Sequence, residues 1–235
     1  MRFIVLFTVL LIVKVACQSP TPQTPSKENE QSAIVEPPSA PAPPAPIPDY
    51  DTSQWADLHF LDTTILLDLK YATTDNFVNE QLYECPRCFL RPTAARALVA
   101  LQRHFQQKGL GIKVYDCYRP RPIQQKLWDK VPNASYVTPP SKGSMHNRGL
   151  AVDLSLVDRN GVDLEMGTPY DFFGPKAHHT YTNLPDTILQ NRILLKTTLR
   201  DFGFQSIRTE WWHYSFRSDP HPLSDMLWNC DSELH

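Results

Sequence analysis

A proline-rich segment near the amino end limits most strongly how much of this chain can fold. Residues 18–49 hold ten of the chain's 22 prolines, mixed with serine, threonine, glutamine and glutamate. Such a composition cannot bury enough apolar surface to offset the entropy lost on ordering, and the run PPSAPAPPAPIP favours a stiff, extended spacer. We therefore predict a disordered tether over 18–50 and one folded domain over 51–235, whose roughly 185 residues suit a single core.

The residues before this tether have the pattern of an export signal, which we predict over 1–17. They begin MRFIVLFTVLLIVKVA, a basic residue followed by an apolar run too short for a comfortable membrane span. Cys17 follows and leaves two alternatives. Either the mature chain begins at a lipid-modified Cys17 that attaches it to a membrane, or an ordinary signal is cleaved after Cys17. Both alternatives predict an exported protein of the periplasm or cell envelope.

The overall composition is that of an ordinary globular protein, with 41% hydrophobic residues and a formal net charge of −2. It gives no indication of a nucleic-acid partner. Four cysteines fall in the part expected to fold, and an exported chain could join them in up to two disulfides with three alternative pairings. The ECPRC pair could instead be half of a zinc ribbon or a redox motif, but the sequence has no second CxxC to complete a ribbon.

The spacing of apolar residues predicts both helices and strands in the folded part. The helices, one with Asp186 as its amino-terminal cap, are predicted over 91–109, 119–131 and 185–203. The strands are predicted over 63–72, 111–118, 150–158 with a hairpin return at 162–166, and 204–216. Because the helices stand apart from hairpin-connected strands, the predicted fold class is α+β, a single domain with a largely antiparallel sheet flanked by helices.

The stretch SMHNRGLAVDLSL combines polar residues with a buried strand. Side chains alternate along a strand, so Asp153 shares a face with the small Ala151 and Ser155 while the leucines and valine take the other face. Small neighbours leave room in front of the carboxylate. His146 lies in the preceding loop, and Gly149 permits a backbone path that would let imidazole and carboxylate converge.

A second stretch, EWWHYSF, supplies another acid and another imidazole. Glu210 and His213 are three residues apart, so a regular strand would place them on opposite faces. Both can reach one cavity only if Glu210 lies at the start of the strand or at a bulge. Two histidines and a carboxylate from separate segments, with a second carboxylate nearby, are typical of a catalytic zinc centre that keeps its fourth position open.

The two stretches together resemble the zinc D,D-peptidase superfamily, which includes D-alanyl-D-alanine dipeptidases, D,D-carboxypeptidases and hedgehog-type domains. The residues that carry the resemblance are Ser144-x-His146-x-x-Gly149-x-Ala151-x-Asp153 and Glu210-x-x-His213. The match is closer to the dipeptidase branch in the segments KYATTDNF (70–77), YDCYRPRP (115–122), MGTPYDFFG (166–174) and EWWHY (210–214). The resemblance therefore spans nearly all of residues 51–235 and implies the zinc D,D-peptidase fold.

The resemblance implies a set of catalytic roles. His146, Asp153 and His213 would bind one Zn²⁺ per chain. Glu210 would take a proton from the metal-activated water and later return it to the departing amine. Arg119 would stabilise the oxyanion that forms when water attacks the peptide carbonyl.

The resemblance also implies how a small dipeptide would be recognised. Asp171 would pair with the free ammonium group, helped by the backbone near Tyr71, and Ser144 would lie beside the substrate. The leading hypothesis is zinc-dependent hydrolysis of D-alanyl-D-alanine to two D-alanines. The alternatives are a D,D-carboxypeptidase that acts on peptidoglycan stem peptides and a non-catalytic binding module that keeps the zinc fold.

Overall fold

A computed structural model describes residues 48–219 and 221–230 of the chain. The predicted export signal, including Cys17, and nearly all of the predicted tether lie outside the described residues and remain predictions. Within the described ranges, no helix has both the length and the apolar character needed to cross a membrane.

The described residues form four α-helices and seven β-strands. The helices are α1 (Leu58–Leu61), α2 (Pro92–Gln106), α3 (Arg121–Lys130) and α4 (Asp186–Asp201). The strands are β1 (Ala56–Asp57), β2 (Leu66–Leu67), β3 (Phe89–Leu90), β4 (Leu110–Asp116), β5 (Ala151–Asp158), β6 (Phe204–Ser206) and β7 (His213–Phe216). Short 3-10 turns add Lys70–Ala72, His146–Arg148 and Pro175–Ala177.

Five of the strands form one sheet in the order β2-β4-β5-β7-β6, and β1 pairs with β3 separately. Only the β2–β4 pair is parallel, whereas β4–β5, β5–β7 and β6–β7 are antiparallel. The long strand β5 lies at the centre of the sheet, where its two edges pair with β4 and β7. The predicted fold class, α+β with a largely antiparallel sheet, is confirmed.

The two faces of β5 divide the core from the cleft. Val152, Leu154 and Leu156 are fully buried in a core that also contains the apolar side chains of α2 and α4. Truncating one such leucine to alanine typically costs about 2–5 kcal/mol of stability. Asp153 faces away from this core, as the alternation of side chains along the strand predicted.

The three predicted long helices are confirmed as α2, α3 and α4. One detail of the prediction is wrong, because Asp186 is the first residue of α4 rather than its cap. Pro185 occupies the cap position, where no side chain bonds to the helix. Asp186 still places a negative charge in the first turn, where it interacts favourably with the helix dipole.

The strand predicted over 63–72 is much shorter in the structure. Only β2 is extended, and the chain then tightens into the 3-10 turn at Lys70–Ala72. Leu69 and Tyr71, 3% and 2% exposed, are buried in two different hydrophobic clusters. A continuous strand would point both side chains to the same face, because they are two residues apart. Tyr71 is thereby directed towards the cleft described below.

The strand predicted over 204–216 is a hairpin in the structure. β6 and β7 pair with each other in antiparallel register, with Phe204 opposite Phe216. The connection between the two strands contains Glu210, which therefore lies outside any regular strand. This connection lines the cleft and allows Glu210 to face it together with His213.

The predicted hairpin return over 162–166 is reduced to a single bridge between Val157 and Asp163. The chain leaves the sheet there because later carbonyl groups bond elsewhere. The carbonyl oxygen of Met166, for example, accepts a hydrogen bond from Nε of Arg192 on α4, at 2.7 Å. The segment after residue 166 leaves the sheet, and part of it lines the cleft described below.

Two disulfides settle the cysteine pairing that the sequence left open. Cys85 is bonded to Cys230, and Cys88 is bonded to Cys117. The two cysteines of ECPRC therefore bind separate distant partners and form neither a zinc ribbon nor a redox pair. The Cys88–Cys117 bond fixes the chain directly after β4.

Candidate metal centre and cleft

Three buried side chains converge on one point at the bottom of a cleft of about 720 Å³. His146 Nε2 lies 3.1 Å from His213 Nδ1 and 3.3 Å from Asp153 Oδ1. The third side of the triangle, from His213 Nδ1 to Asp153 Oδ1, is 3.0 Å. Among the described residues, these three make the one group of metal-binding side chains close enough to hold an ion.

Local structure brings the three side chains together. Asp153 on β5 and His213 on β7 are direct partners across the antiparallel pair. His146 lies in the 3-10 turn before β5, and this turn ends at Gly149 with φ of 70°. A Cβ atom at Gly149 would lie 2.4 Å from the ring of Trp55, so glycine is required both for the backbone angle and for the space.

Hydrogen bonds on the outer side of each imidazole fix how it faces the centre. His146 Nδ1 lies 2.6 Å from the carbonyl oxygen of Cys117, which can only accept, so this nitrogen carries the proton. The other ring nitrogen, Nε2, faces the centre. His213 Nε2 contacts the Ser215 hydroxyl at 3.2 Å and leaves Nδ1 to face the centre. Such contacts are the usual means of orienting metal-binding histidines.

The geometry and the donor atoms fit a zinc ion. Zinc bound tetrahedrally at about 2.0–2.1 Å has its ligand atoms about 3.3 Å apart, close to the three separations in the triangle. The same separations also match hydrogen bonds made by a ring N–H, so a proton can hold these atoms together where no metal is bound. Burial acts to raise the pKa of Asp153, but His146 and His213 outweigh it and hold that pKa well below its usual range, so the carboxylate is ionised. These residues would hold the metal.

Glu210 lies in the same cleft, in the connection just before β7. This is the first of the two placements that the spacing of Glu210 and His213 allowed. Burial raises the pKa of Glu210, although the nearby His213 opposes the shift. The carboxyl group is thus close to the centre without belonging to the triangle.

Arg119 also lines the cleft and is held rigidly from behind. Its Nε and Nη2 donate to Asp116 Oδ2 at 3.0 and 2.6 Å, and its Nη1 donates to Gln124 Oε1 at 3.0 Å. Burial disfavours the charge of Arg119, but Asp116 more than compensates and the pKa of Arg119 lies well above its ordinary value. The guanidinium is therefore a fixed, charged group in the cleft.

Asp171 reaches the cleft from a strained turn. Its backbone is left-handed, with φ of 55°, a conformation that aspartate tolerates better than most residues. The Tyr71 hydroxyl donates to Asp171 Oδ2 at 3.0 Å. The carbonyl oxygen of Tyr71 already accepts from the backbone of Leu82 and Tyr83, so Tyr71 offers the cleft its side chain rather than its backbone.

Ser144 lines the cleft beside His146. Its hydroxyl accepts from the backbone N–H of His146 at 3.2 Å and so stabilises the turn that carries this histidine. Asn147 braces the same turn, accepting from the Ser144 N–H and donating to the Arg119 carbonyl oxygen, each at 2.7 Å. The predicted substrate residue Ser144 therefore also has a structural contact.

Three carboxylates, Asp153, Asp171 and Glu210, share the cleft. Burial raises the pKa of Asp171 well above its usual range, and repulsion from Asp153 adds to the shift. The charge of Arg119 is already balanced by Asp116. The cleft therefore favours cations, one at the triangle and a second near Asp171.

Sequence reasoning missed several residues that support the site. Asp116 is fully buried and holds Arg119, and Tyr170 donates to Asp153 Oδ2 at 3.1 Å. The one signal for Asp116 was an aspartate at the end of a strand that is largely apolar apart from Lys113. The neighbouring histidines at 178 and 179 remain outside the triangle: His178 lies on the cleft lining, and His179 packs near Tyr214.

An α+β domain whose cleft combines a His-Asp-His triangle with a further glutamate has the arrangement of a metallopeptidase. The sequence matches the D-Ala-D-Ala dipeptidase family over residues 52–230. The chain therefore belongs to the D-Ala-D-Ala dipeptidase family and is an enzyme, as its motifs predicted.

Individual relatives agree with the family match. The chain is 34% identical over 181 residues to the D-alanyl-D-alanine dipeptidase of Escherichia coli, covering 77% of this chain and 94% of that one. It is 32% identical over 179 residues to that of Enterococcus faecalis, covering 66% and 87%. A solved structure, the vancomycin resistance D,D-dipeptidase VanXYg in complex with a D-Ala-D-Ala phosphinate analog, is 16% identical, with a TM-score of 0.34 and coverage of 69% and 66%. Likeness at that level adds nothing to the assignment.

Proposed function

We propose that this protein hydrolyses the free dipeptide D-alanyl-D-alanine to two D-alanines with one bound zinc ion. The observation that carries the proposal is the joint presence, in one buried cleft, of the His146–Asp153–His213 triangle, Glu210 and Asp171. The triangle and Glu210 support hydrolysis, and Asp171 supports recognition of a free amino group.

Zinc, when bound, would supply Lewis acidity that lowers the pKa of water and polarises the scissile carbonyl. Glu210 is the general base of the proposal: it takes a proton from the attacking water and gives it to the departing amine. Its position beside the triangle but outside it leaves the carboxylate oxygens available for this transfer. General acid–base catalysis of this kind typically contributes about 10²- to 10⁴-fold in rate.

Arg119 stabilises the negative oxygen that develops on the attacked carbonyl. Asp116 and Gln124 use three of its N–H groups to fix the guanidinium plane, which leaves the remaining donors for the oxyanion. A donor that is already in place costs no reorganisation during the reaction. Removing one such donor typically lowers the rate by about 10²- to 10³-fold.

Asp171 binds the ammonium group of the dipeptide and thereby sets substrate length. Burial raises the pKa of its carboxyl group, which receives one hydrogen bond from Tyr71, so a bound ammonium would stabilise the ionised form. An acylated amine could not, and would leave the carboxylate buried without a cation. Ser144 lies on the cleft lining, where its side chain would flank the bound dipeptide.

We also propose that the enzyme acts outside the cytoplasm, on dipeptide derived from the cell wall. The two disulfides support this location, because disulfides persist in oxidising compartments and are rare in the cytosol. The alternatives for Cys17, lipidation or cleavage, are distinguished by the mass of the mature amino-terminal peptide.

The test of the proposed function compares three substrates with purified zinc-loaded protein. D-Alanyl-D-alanine should release D-alanine, whereas its N-acetyl form and a pentapeptide ending in D-Ala-D-Ala should be cleaved at least about 10²-fold more slowly. Glu210→Gln should keep its zinc and lose about 10²- to 10⁴-fold in kcat. Equal cleavage of the blocked substrates would favour a D,D-carboxypeptidase, and full activity of Glu210→Gln would remove Glu210 from its role.

A further inference from the structure

The two oxygens of Asp153 have different partners. Oδ1 faces the centre, 3.0 Å from His213 Nδ1 and 3.3 Å from His146 Nε2. Oδ2 accepts a hydrogen bond from the Tyr170 hydroxyl at 3.1 Å. The phenol occupies one lone-pair site of Oδ2 and holds this oxygen towards Tyr170, which leaves Oδ1 as the oxygen that faces the triangle.

The ring of Tyr170 packs against two other aromatic rings, which restricts the movement of its hydroxyl. Its centroid lies 5.0 Å from that of Tyr115 and 5.6 Å from that of Trp212. The backbone is also constrained, because Asp171 follows directly in the left-handed conformation. One two-residue segment therefore supplies both a contact to the proposed metal ligand and the carboxylate proposed to bind the substrate ammonium.

The number of Asp153 oxygens that bind the metal determines whether one coordination position stays open. A carboxylate can bind a cation through one oxygen or two, and a second oxygen from Asp153 would take up the position that a catalytic zinc site keeps open. The described structure offers one oxygen to the centre and gives the other to Tyr170.

We propose that Tyr170 is a positioning residue whose hydroxyl holds Oδ2 of Asp153, so that Asp153 binds zinc through Oδ1 alone and one coordination position stays open. The inference rests on the zinc centre of the proposed function. It assigns to Tyr170 an effect on metal binding that does not depend on turnover.

Tyr170→Phe removes the hydroxyl and keeps the ring. X-ray absorption at the zinc edge of this variant should show both oxygens of Asp153 on the metal, because no hydroxyl then holds Oδ2. The absorption spectrum of the cobalt-substituted protein should weaken, because its visible bands lose intensity as the coordination number rises above four. Tyr115→Phe is the matched control: it removes a hydroxyl from the adjacent ring, where the partner is Ser155 rather than Asp153. It should keep one carboxylate oxygen on the metal and leave the cobalt spectrum unchanged, since it touches no proposed ligand.

X-ray absorption at the zinc edge of the wild-type protein provides a second measurement that needs no variant. It should give a four-coordinate site with one carboxylate oxygen, as a catalytic zinc centre requires. A two-oxygen carboxylate in the wild type, unchanged zinc coordination in Tyr170→Phe, or the same change of coordination in Tyr115→Phe would overturn the inference. Absence of D-alanine release by wild-type protein would instead remove the proposed function and leave these metal measurements intact.

Discussion

Removing the Cys88–Cys117 disulfide should weaken zinc binding more than its effect on stability alone would suggest. The bond closes a separation of 29 residues, and the loss of this constraint corresponds to about 4 kcal/mol of unfolding free energy. The carbonyl of Cys117 also holds the Nδ1 proton of His146. A Cys88→Ala/Cys117→Ala protein should therefore bind zinc about 10- to 100-fold more weakly.

The second disulfide is the matched control. Cys85 and Cys230 are 145 residues apart, so Cys85→Ala/Cys230→Ala should lose more stability, about 5 kcal/mol. It leaves the backbone around Cys117 bonded to Cys88, and zinc affinity should change less than about 3-fold.

Stability and zinc affinity are measured on the same two double variants. Urea unfolding of the metal-free forms gives stability, and chelator competition well below the unfolding transition gives zinc affinity, so that the unfolded fraction does not distort it. We expect the Cys85→Ala/Cys230→Ala protein to be the less stable of the two and the Cys88→Ala/Cys117→Ala protein to bind zinc more weakly. If zinc affinity simply follows stability, the Cys117 carbonyl has no special role at the centre.

Three further predictions concern single side chains. Arg119→Lys should lower kcat for D-alanyl-D-alanine by about 10²-fold at unchanged zinc content, because an ammonium cannot reproduce the fixed fork of donors; steady-state kinetics with metal analysis would check this. Asp171→Asn should lower kcat/KM for the free dipeptide by about 10²-fold but not for its N-acetyl form, and equal losses on both substrates would contradict the ammonium role. His179 has a pKa lowered to about 4, mainly by burial, from the ordinary 6.5. Its neutral form thus stabilises the fold above pH 6.5, and this contribution is lost as the pH falls towards 4. After allowance for partial exposure, wild type should lose about 1 kcal/mol more than His179→Phe between pH 7 and pH 5 in urea unfolding, and equal losses would contradict it.

The parts of the site that alternate regularly along one strand could be predicted from the sequence. Asp153 faces away from the leucines of β5, and Gly149 has the left-handed backbone that brings His146 towards it. These are local rules of strand periodicity and glycine conformation. They could place the two residues near each other, but the meeting with His213 depends on the pairing of β5 with β7.

Features set by irregular backbone could not be predicted in the same way. The register of β4 shifts between Val114 and Asp116, and this bulge places Asp116 opposite Asp153. The pattern of apolar and polar residues along β4 does not indicate such a bulge. The hairpin between β6 and β7 was also missed, because residues 207–212 contain none of the glycine, proline, asparagine or aspartate that usually mark a turn.

Contacts between residues far apart in the sequence could not be predicted either. Tyr170 reaches Asp153 across 17 positions, and the disulfide partners are separated by 29 and 145. Such pairs depend on the assembled fold rather than on spacing. The family's motifs indicated the ligands, while the residues that orient them became visible only in three dimensions.

The most direct test of the central claim is a zinc titration of metal-free protein with D-alanyl-D-alanine as substrate. Release of D-alanine should be absent without metal, rise in proportion to added zinc and level off at one ion per chain, because a single His146–Asp153–His213 centre performs the reaction. Hydrolysis by the metal-free protein, or none at any zinc concentration, would contradict the account.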